Sequence, residues 1–187
     1  MRERSKDRRV KYTIAALKDA LVQLMQKEHI SKISVKSLCE YADINRSTFY
    51  SHFSDQYDLL HYIGEEVLDI IKNQLESQDF EDNRPISVQV LCGILEYARK
   101  NANLFKALLG ENCDLMIQRE LINFSQFVSF SLNKKYDKRV QEYFNVYATT
   151  GCISVLQKWL QDGMIESDAQ ISEYITQMLY SGMSSFE

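Results

Sequence analysis

Residues 33–60, ISVKSLCEYADINRSTFYSHFSDQYDLL, predict two short helices joined by a tight turn. Ser34 is a favourable N-cap for the first helix. Asn45 is a favourable N-cap for the second helix, which is predicted to run to about His52. A turn of three residues, ending at Asn45, separates the two. Two short helices joined by such a turn form a helix-turn-helix.

The rest of the chain predicts further helices and no confident strand. Apolar residues recur at steps of three and four along most of the sequence. One proline and six glycines are too few for the many turns of an all-β protein. Residues 77–85 form the clearest linker, because they are polar and contain that proline. About nine helices are predicted, over residues 8–27, 34–42, 46–52, 54–76, 86–100, 103–109, 113–132, 139–161 and from the Ser167 capping box onward.

The composition excludes several classes of protein. A chain of 187 residues is one domain, or one compact domain with a small module. It has no stretch of about 18 apolar residues and no apolar segment behind its basic start, so we expect a cytoplasmic protein without a membrane span or secretory signal. The four cysteines are far apart and show no zinc spacing with the three histidines, so we expect reduced thiols, no metal and no cofactor; they are Cys39, Cys92, Cys113 and Cys152.

Charge is divided unevenly along the chain. Residues 1–53 contain 11 Lys or Arg and 6 Asp or Glu, a net charge of +5. Residues 54–187 contain 11 Lys or Arg and 20 Asp or Glu, a net charge of −9. A basic N-terminal quarter on an acidic body indicates that this end meets an anion, and nucleic acid is the natural candidate. A basic tail without a partner is the alternative.

Four cations crowd the start of the first predicted helix. Positive charge at a helix N-terminus opposes the macrodipole, so intrinsic helix stability does not explain them. Contact with a polyanion would explain them, and a disordered arm is the alternative. The four residues are Lys6, Arg8, Arg9 and Lys11.

The second helix of the predicted motif carries side chains that suit DNA. The recognition helix of a helix-turn-helix places its N-terminal residues near base edges in the major groove. Arg46 can bond O6 and N7 of one guanine together, and the Thr48 methyl suits a thymine methyl. The preceding helix begins near Lys36, and its free N–H groups favour a phosphate. The candidate DNA-binding residues are Ser34, Lys36, Asn45, Arg46, Ser47, Thr48, Tyr50 and His52.

Three of these residues have simpler explanations that the sequence leaves open. Tyr50 could pack against the first helix, and His52 could cap a helix end without touching DNA. Arg46 could be an ordinary solvated charge. Phe49 and Phe53, four residues apart, are predicted to be core.

The run Thr48-Phe-Tyr-x-His52-Phe closely resembles the most recognisable string of TetR-family transcriptional regulators. The resemblance covers about residues 9–60. Two further patterns, Asn101-x-Asn103-Leu-Phe105 and Gly151 to Trp159-Leu-x-x-Gly163, are similar to a C-terminal subtype of many bacterial members. In this family the Tyr and His positions of the run contact the DNA backbone.

The resemblance implies an all-α fold with two parts. Residues 1–54 would form a three-helix DNA-binding domain with the helix-turn-helix, and residues 55–187 a helical domain for ligand binding and dimerisation. The last two helices of each subunit would form a four-helix bundle in a homodimer. A two-fold dimer would bind a palindromic operator in double-stranded DNA.

Two positions depart from the family pattern. Many members have glycine in the turn, where this chain has Asp43, which adopts a positive φ less readily. Many members have a lysine early in the fourth helix that meets a phosphate. Here Ser54 is predicted to cap that helix, and Asp55 follows and would repel a phosphate. Gln56 or the helix N-terminus would then have to serve.

The long helix over residues 139–161 supports a dimer independently of the family. It is apolar on nearly all sides, so it needs cover on two sides. Gly151, in its middle, costs stability unless another element approaches closely, and Ala148 would also allow close approach. A helix wholly inside its own domain is the alternative.

In the TetR family, the C-terminal helical domain usually encloses a pocket for a small-molecule effector. Aromatic residues at helical spacing could line it, although any one of them is more often plain core. The candidates are Tyr62, Tyr97, Phe105, Phe124, Phe127, Tyr147 and Trp159.

These observations favour a sequence-specific regulator that binds DNA as a homodimer, most simply a repressor released by a small molecule or another effector. The alternative is a helix-turn-helix activator or repressor that is controlled by a protein partner and has no pocket. An enzyme is not expected, because no catalytic triad order or Gly-rich phosphate loop occurs. Cys39 and His52 are the one thiol–imidazole pair worth naming, and Cys39 lies on an apolar helix face.

Overall fold

The computed structural model describes residues 2–76, 88–115, 118–119 and 137–184. These residues form eight α-helices and one 3₁₀ turn, with no strand among them. The all-α class is therefore confirmed, and the predicted count of about nine helices is close. Most of the predicted helix 113–132 lies outside the described residues. The helices are α1 Arg2–Met25, α2 Val35–Ala42, α3 Arg46–Tyr50, α4 Gln56–Glu76, α5 Val88–Lys100, α6 Ala102–Leu109, α7 Lys138–Gln161 and α8 Asp168–Ser184, and the 3₁₀ turn is Ile30–Lys32.

The chain divides into two compact units. The first, here called the head, comprises residues 1–66 and 107–118. The second, here called the body, comprises residues 67–106 and 119–187. The predicted domain boundary after residue 54 stays a prediction. No helix within the described ranges is long and apolar enough to cross a membrane.

The core of the head forms where α1 to α4 turn their apolar faces inward. Phe49 is fully buried and Phe53 nearly so, with ring centroids 5.9 Å apart, which confirms both as core residues. Lys18 of α1 also pairs with Glu66 of α4. The other large side chains that are fully buried here include Leu17, Leu21, Met25, Leu38, Leu59, Leu60 and Ile63.

Helix α1 begins six residues before the predicted start. It was expected from about Arg8 and begins at Arg2. The apolar periodicity that marked the predicted start reports packing, and the backbone continues as helix beyond the packed part. Thr13 is the first buried residue of α1 among the side chains described from residue 8 onward.

The segment after α6 is part of the head. The side-chain amide of Asn112 donates to the carbonyl of Met25 at 2.8 Å, at the end of α1. The Asn112 carbonyl accepts from the N–H of Ile30 at 3.0 Å, at the start of the 3₁₀ turn. Leu108 and Cys113 are buried beside it, and burial raises the pKa of the Cys113 thiol to about 12. This segment therefore fixes the connection between α1 and α2.

Helices α5 and α8 pack together in the body. The hydroxyl of Ser172, which is fully buried, donates to the carbonyl of Val88 at 2.9 Å. Leu95 of α5 and Ile175 of α8 are also buried. The predicted capping box of the last helix is confirmed, because Ser167 and Gln170 bond each other's backbone N–H through their side chains at 2.9 and 3.2 Å.

Arg99, in the last turn of α5, holds the turn between α7 and α8. Its guanidinium donates to the Asp168 carboxylate at 2.6 Å and to the carbonyls of Met164 and Glu166 at 3.2 and 2.5 Å. It also lies 4.8 Å from the ring centroid of Trp159, whose indole N–H donates to the Glu166 carbonyl at 3.1 Å. We call this set of contacts the Arg99 clasp.

The clasp stabilises an unusual stretch of backbone. Gly163 and Met164 both have left-handed φ angles, of 86° and 57°. Gly163 adopts this conformation without steric cost and ends α7 as predicted, whereas Met164 does so at a cost. The N–H of Met164 donates back to the carbonyl of Trp159 at 2.8 Å.

Candidate nucleic-acid interface

The first helix of the predicted motif, α2, is capped as the sequence indicates. The N–H of Ser37 donates to the Ser34 hydroxyl at 3.0 Å, and the N–H of Ser34 donates to the Ser37 hydroxyl at 3.1 Å. Ser34 and Lys36 both lie at this end of the helix, where Ser34 is exposed and Lys36 keeps most of its side chain in solvent. Lys36 lies 3.9 Å from Glu40 in a pair so exposed that it contributes little, so the ammonium can still reach an anion.

The turn places an aspartate where the backbone is left-handed. Asp43 has φ 53° and ψ 43°, as its position in the turn predicts. The N–H groups of Asp43 and Ile44 both donate to the carbonyl of Cys39, which closes the end of α2. Aspartate tolerates this conformation better than most residues other than glycine, so the motif keeps its geometry without the family's usual glycine.

The recognition helix α3 begins with a fully formed cap. The side-chain carbonyl of Asn45 accepts from the N–H and the hydroxyl of Ser47, both at 2.9 Å. Arg46 lies between them and is exposed. Because the oxygen of Asn45 accepts both bonds of the cap, the NH₂ group of this exposed side chain is the part that can donate to a ligand. The guanidinium of Arg46 is carried by the longest side chain at this end of the helix.

The remaining candidates follow along α3 and its C-cap. Thr48 and His52 are half-buried, and Tyr50 is 58% exposed. The ring of Tyr50 meets that of Phe49 edge-on at 5.5 Å, so the buried phenylalanine positions the exposed tyrosine. The His52 ring lies 6.3 Å from Phe53. The structure therefore brings the candidates of α3 together on one short element, and their contacts with DNA stay predictions.

The start of α4 differs from the prediction. Ser54 was expected to be the cap, but the carboxylate of Asp55 accepts from the N–H groups of Tyr57 and Asp58, both at 2.9 Å. Ser54 instead donates its N–H and hydroxyl to the Asp58 carboxylate at 2.8 and 2.9 Å. Both residues were capable N-caps by type, and position along the chain did not separate them.

The contacts at the start of α4 make this end of the helix negatively charged. The bonds from the Ser54 N–H and hydroxyl hold the pKa of Asp58 below its ordinary value. Two carboxylates therefore occupy the start of α4, and the N–H groups of Tyr57 and Asp58 are already bonded to one of them. The helix N-terminus is not free to bind a phosphate in the way that was considered for it, which leaves Gln56, half-buried, as the polar side chain there.

The cysteine of the motif behaves as core. Cys39 is buried, and burial raises the pKa of its thiol, while the nearby charge of Arg46 opposes this. A buried thiol whose pKa is raised is a poor nucleophile at neutral pH. The geometry therefore gives the Cys39–His52 pair no chemical role.

The family of the chain follows from its C-terminal region as well as from this motif. Residues 87–181 match the family model of the TetR type that describes the C-terminal region of transcriptional regulators. The match spans more than half of the chain. The chain belongs to the TetR family of transcriptional regulators. Regulators of this family are in general not enzymes. The comparison with curated proteins gives no match.

Three solved structures share the fold of this regulator over most of its length. A TetR transcriptional regulator from Streptococcus agalactiae 2603V has a TM-score of 0.70 at 20% identity, over 95% of this chain and 98% of that one. The dihydroxyacetone kinase operon activator DhaS has a TM-score of 0.57 at 19% identity, over 94% and 98%. The transcriptional regulator FadR from Bacillus subtilis, in complex with stearoyl-CoA, has a TM-score of 0.66 at 14% identity, over 90% and 98%.

The candidate pocket residues fall in different surroundings. In the body, the rings of Tyr97 and Phe105 meet edge-on at 5.7 Å, and Trp159 is buried within the Arg99 clasp. In the head, Tyr62 packs edge-on against Phe53 at 5.6 Å. Tyr147 is exposed on α7. Phe124 and Phe127 lie outside the described residues, and the pocket stays a prediction.

The outer surface of α7 is a second candidate interface. Tyr143 and Tyr147 are 65% and 64% exposed, and Val146 is also exposed. A groove of about 60 Å³ lies between α7 and α8. A Cβ atom added to Gly151, which lines this groove, would meet no atom within 4 Å. The other lining residues are Tyr147, Ala148, Cys152, Val155, Ile175, Met178 and Leu179.

Sequence reasoning missed several residues that organise these surfaces. Asn112 and Arg99 act through contacts with residues far away in the chain, which no local pattern reveals. The cap formed by Asp55 could have been found, because aspartate is as good an N-cap as serine and its carboxylate suits the helix dipole.

Proposed function

We propose that this regulator binds a palindromic operator in double-stranded DNA as a homodimer and represses transcription until an effector releases it. The observation that carries the proposal is the start of α3. There a complete cap holds Asn45 and Ser47 in place and leaves the guanidinium of Arg46 exposed. In a helix-turn-helix this end of the second helix lies against base edges.

We assign base reading and backbone contact to different residues. Arg46 would read a guanine, and Asn45, Ser47 and Thr48 would contact bases or phosphates beside it. Tyr50 and His52 would contact phosphates, and so would Ser34 and Lys36 at the start of α2. The 58% exposure of Tyr50 supports its role, because a ring packed against α1 would be covered.

The surface of α7 and α8 supports the homodimer. Tyr143, Val146 and Tyr147 are exposed close together on α7, and contiguous exposed apolar side chains mark protein interfaces. Gly151 destabilises the middle of α7, and among the described residues no atom lies within 4 Å of where its Cβ would be. A second copy of α7 lying close to Gly151 would explain both features.

Control by an effector is supported by the family of the chain and by solved structures of the same fold. The TetR-family fold and the aromatic pair Tyr97–Phe105 in the body suit a small, largely apolar molecule. FadR, of the same fold, is known with stearoyl-CoA bound, which supports an effector of some kind without identifying it. The second candidate is an activator or a repressor controlled by a protein partner, and DhaS, an operon activator of this fold, favours it.

The proposal places the protein in the cytoplasm, where its operator would be, and gives it no enzymatic activity. The buried thiol of Cys39 supports the second point. Cys39→Ser should bind DNA normally, and the native thiol should resist alkylation in the folded protein. Rapid alkylation of Cys39, or loss of a chemical activity in Cys39→Ser, would contradict this part of the proposal.

Selection of random duplex DNA by the purified protein, followed by sequencing, tests the proposal. We expect a two-fold symmetric motif to be enriched, since a symmetric dimer reads two equivalent half-sites. Arg46→Ala, selected in parallel, should relax one position in each half-site. A folded protein that enriches no sequence at low salt would contradict the proposal.

A further inference from the structure

The positive charge of the N-terminal region is concentrated before the helix-turn-helix. Residues 1–11 contain six Lys or Arg and two Asp or Glu, a net charge of +4. Residues 12–53 contain five Lys or Arg and four Asp or Glu, a net charge of +1. Within them, residues 34–53 contain two of each and are neutral.

A helix-turn-helix with only two cations, Lys36 and Arg46, supplies little of the usual electrostatic part of DNA affinity. That part comes from Lys and Arg side chains that neutralise phosphates and release counterions. The start of α4 makes the deficit larger, because Asp55 and Asp58 place two carboxylates beside the motif. If the protein binds DNA with ordinary affinity, most of the neutralising charge must come from elsewhere on the head.

The first turns of α1 have the required properties. Arg8, Arg9 and Lys11 are exposed or nearly so, and Tyr12 is 73% exposed. Among the described side chains of α1, the first that is buried is that of Thr13. No described carboxylate pairs with Arg8 or Arg9. This stretch lies about two turns inside α1, beyond the first turn where the helix dipole acts, and its three exposed cations within four positions repel one another, so a polyanion would stabilise it.

We propose that Arg8, Arg9, Lys11 and Tyr12, here called the basic segment, form a second DNA-binding surface that contacts phosphates. Guanidinium groups bind phosphate oxygens in pairs, and a tyrosine hydroxyl can donate to a third. Contacts of this kind carry no base preference. The basic segment therefore supplies affinity, while α3 supplies sequence preference. This inference rests on the proposed function.

The test compares the salt dependence of DNA binding in full-length proteins. The variants are the wild type, Arg8→Gln with Arg9→Gln, and a matched control, Lys27→Gln with Lys32→Gln, which removes the same charge from exposed positions elsewhere in the head. The probes are the selected operator duplex and a duplex of equal length and scrambled sequence. Circular dichroism and thermal melting show that each variant is folded.

We expect the arginine variant to bind both duplexes more weakly, with an unchanged ratio between them. The slope of log affinity against log salt should fall by about 0.9 for each phosphate that is no longer neutralised, up to about 3.6 for four arginines in a dimer. The control should keep the wild-type slope. An arginine variant with the wild-type slope, an equal fall in the control, or a weakening confined to the operator would overturn the inference. A wild type that binds neither duplex would overturn the proposed function instead.

Discussion

Helices α3 and α7 both present side chains to solvent, but the two exposed surfaces differ in chemistry. Near the start of α3 the exposed groups are an amide, a guanidinium and a hydroxyl, and a complete cap positions them. Along α7 the exposed groups include two tyrosines and a valine, with a glycine one turn beyond them. Exposed polar groups are stable in water and available for a polar partner, whereas an exposed apolar patch gains free energy when it is covered.

The contrast assigns a different partner to each unit. The head exposes groups that can bond base edges and phosphates, and the body exposes a surface that suits another protein surface of the same kind. A symmetric dimer needs one self-complementary patch. The groove between α7 and α8 offers one, because it combines bulky side chains with the small residue Gly151. Substitutions that alter one surface at a time should therefore show which surface pairs the protomers and which contacts DNA.

The largest loss of free energy is expected from a substitution that fills the groove on the apolar surface of α7. Gly151→Leu adds a side chain at the point where a second α7 would approach, and overpacking costs about 1–3 kcal/mol at each site. Because the two-fold axis repeats the substitution, we expect the dimer to weaken by about 2–6 kcal/mol. Sedimentation equilibrium measures the dissociation constant, and affinity for the operator should fall with it.

Two variants control for folding in this experiment. Gly151→Ala should raise the helical stability of the isolated protomer by up to about 1 kcal/mol, because alanine is the better helix former. Glu65→Leu places the same leucine at an exposed position of α4, in the head, and should leave the dimer unchanged. A Gly151→Leu protein that remains a tight dimer would place the interface elsewhere.

The next effect concerns the Arg99 clasp, which holds the α7–α8 turn. Arg99→Ala removes the guanidinium donors from the Asp168 carboxylate and the Met164 carbonyl and leaves the Glu166 carbonyl with the Trp159 indole, so we expect the free energy of unfolding to fall by about 2–3 kcal/mol. Arg99→Lys should recover only part of it, because an ammonium cannot reproduce the planar set of donors. Urea unfolding followed by circular dichroism measures both.

The neighbouring residue provides the matched control for the clasp. Lys100 is an exposed cation that pairs with Glu96 one turn away, and Lys100→Ala should leave the unfolding midpoint unchanged. An equal loss of stability in both variants would mean that positive charge at the end of α5, rather than the clasp, provides the stability.

At the polar surface of α3, Arg46→Ala should weaken operator binding by about 1–3 kcal/mol and relax the sequence preference at one base pair. Tyr50→Phe should weaken binding to all sequences alike, because a phosphate contact carries no base information. Fluorescence anisotropy on operators with single base changes separates the two patterns. Equal weakening on every duplex for Arg46→Ala would remove its assignment as the base-reading residue.

The smallest effect is expected at the start of α4. Asp55→Asn keeps an N-cap and removes a negative charge from the proposed DNA surface, so binding to operator and scrambled duplexes should both tighten. Removal of the favourable charge–dipole interaction should lower stability by about 0.3–1 kcal/mol. Asp69→Asn, about four turns along the same helix, is the control and should leave affinity unchanged. Weaker binding by Asp55→Asn would mean that this carboxylate assists the contact.

The helix-turn-helix could be predicted almost completely, because its determinants are local. Ser34 and Asn45 cap the two helices, Asp43 turns the chain, and Phe49 and Phe53 are buried as their spacing indicates. Each of these features depends on residues within a few positions of one another. Local preferences and packing therefore favour the same structure.

The parts that could not be predicted depend on distant contacts or on closely matched alternatives. Asn112 bonds a carbonyl 87 residues away, and Arg99 bonds a carboxylate 69 residues away, so no periodicity marks either of them. The choice between Ser54 and Asp55 as cap of α4 was between two good candidates side by side. The early start of α1 was missed because apolar periodicity marks helices by their apolar residues, and residues 2–7 contain none.

The pairing of two DNA-reading heads through α7 and α8 is tested most directly by the mass of the protein–operator complex. Sedimentation or light scattering measures it on the selected duplex and on a duplex with one half-site. We predict two protomers of 21.9 kDa on the full operator, at concentrations where the single half-site stays largely unbound. One protomer on the full operator, or equal affinity for the half-site, would contradict the claim that α7 and α8 pair two heads that read DNA.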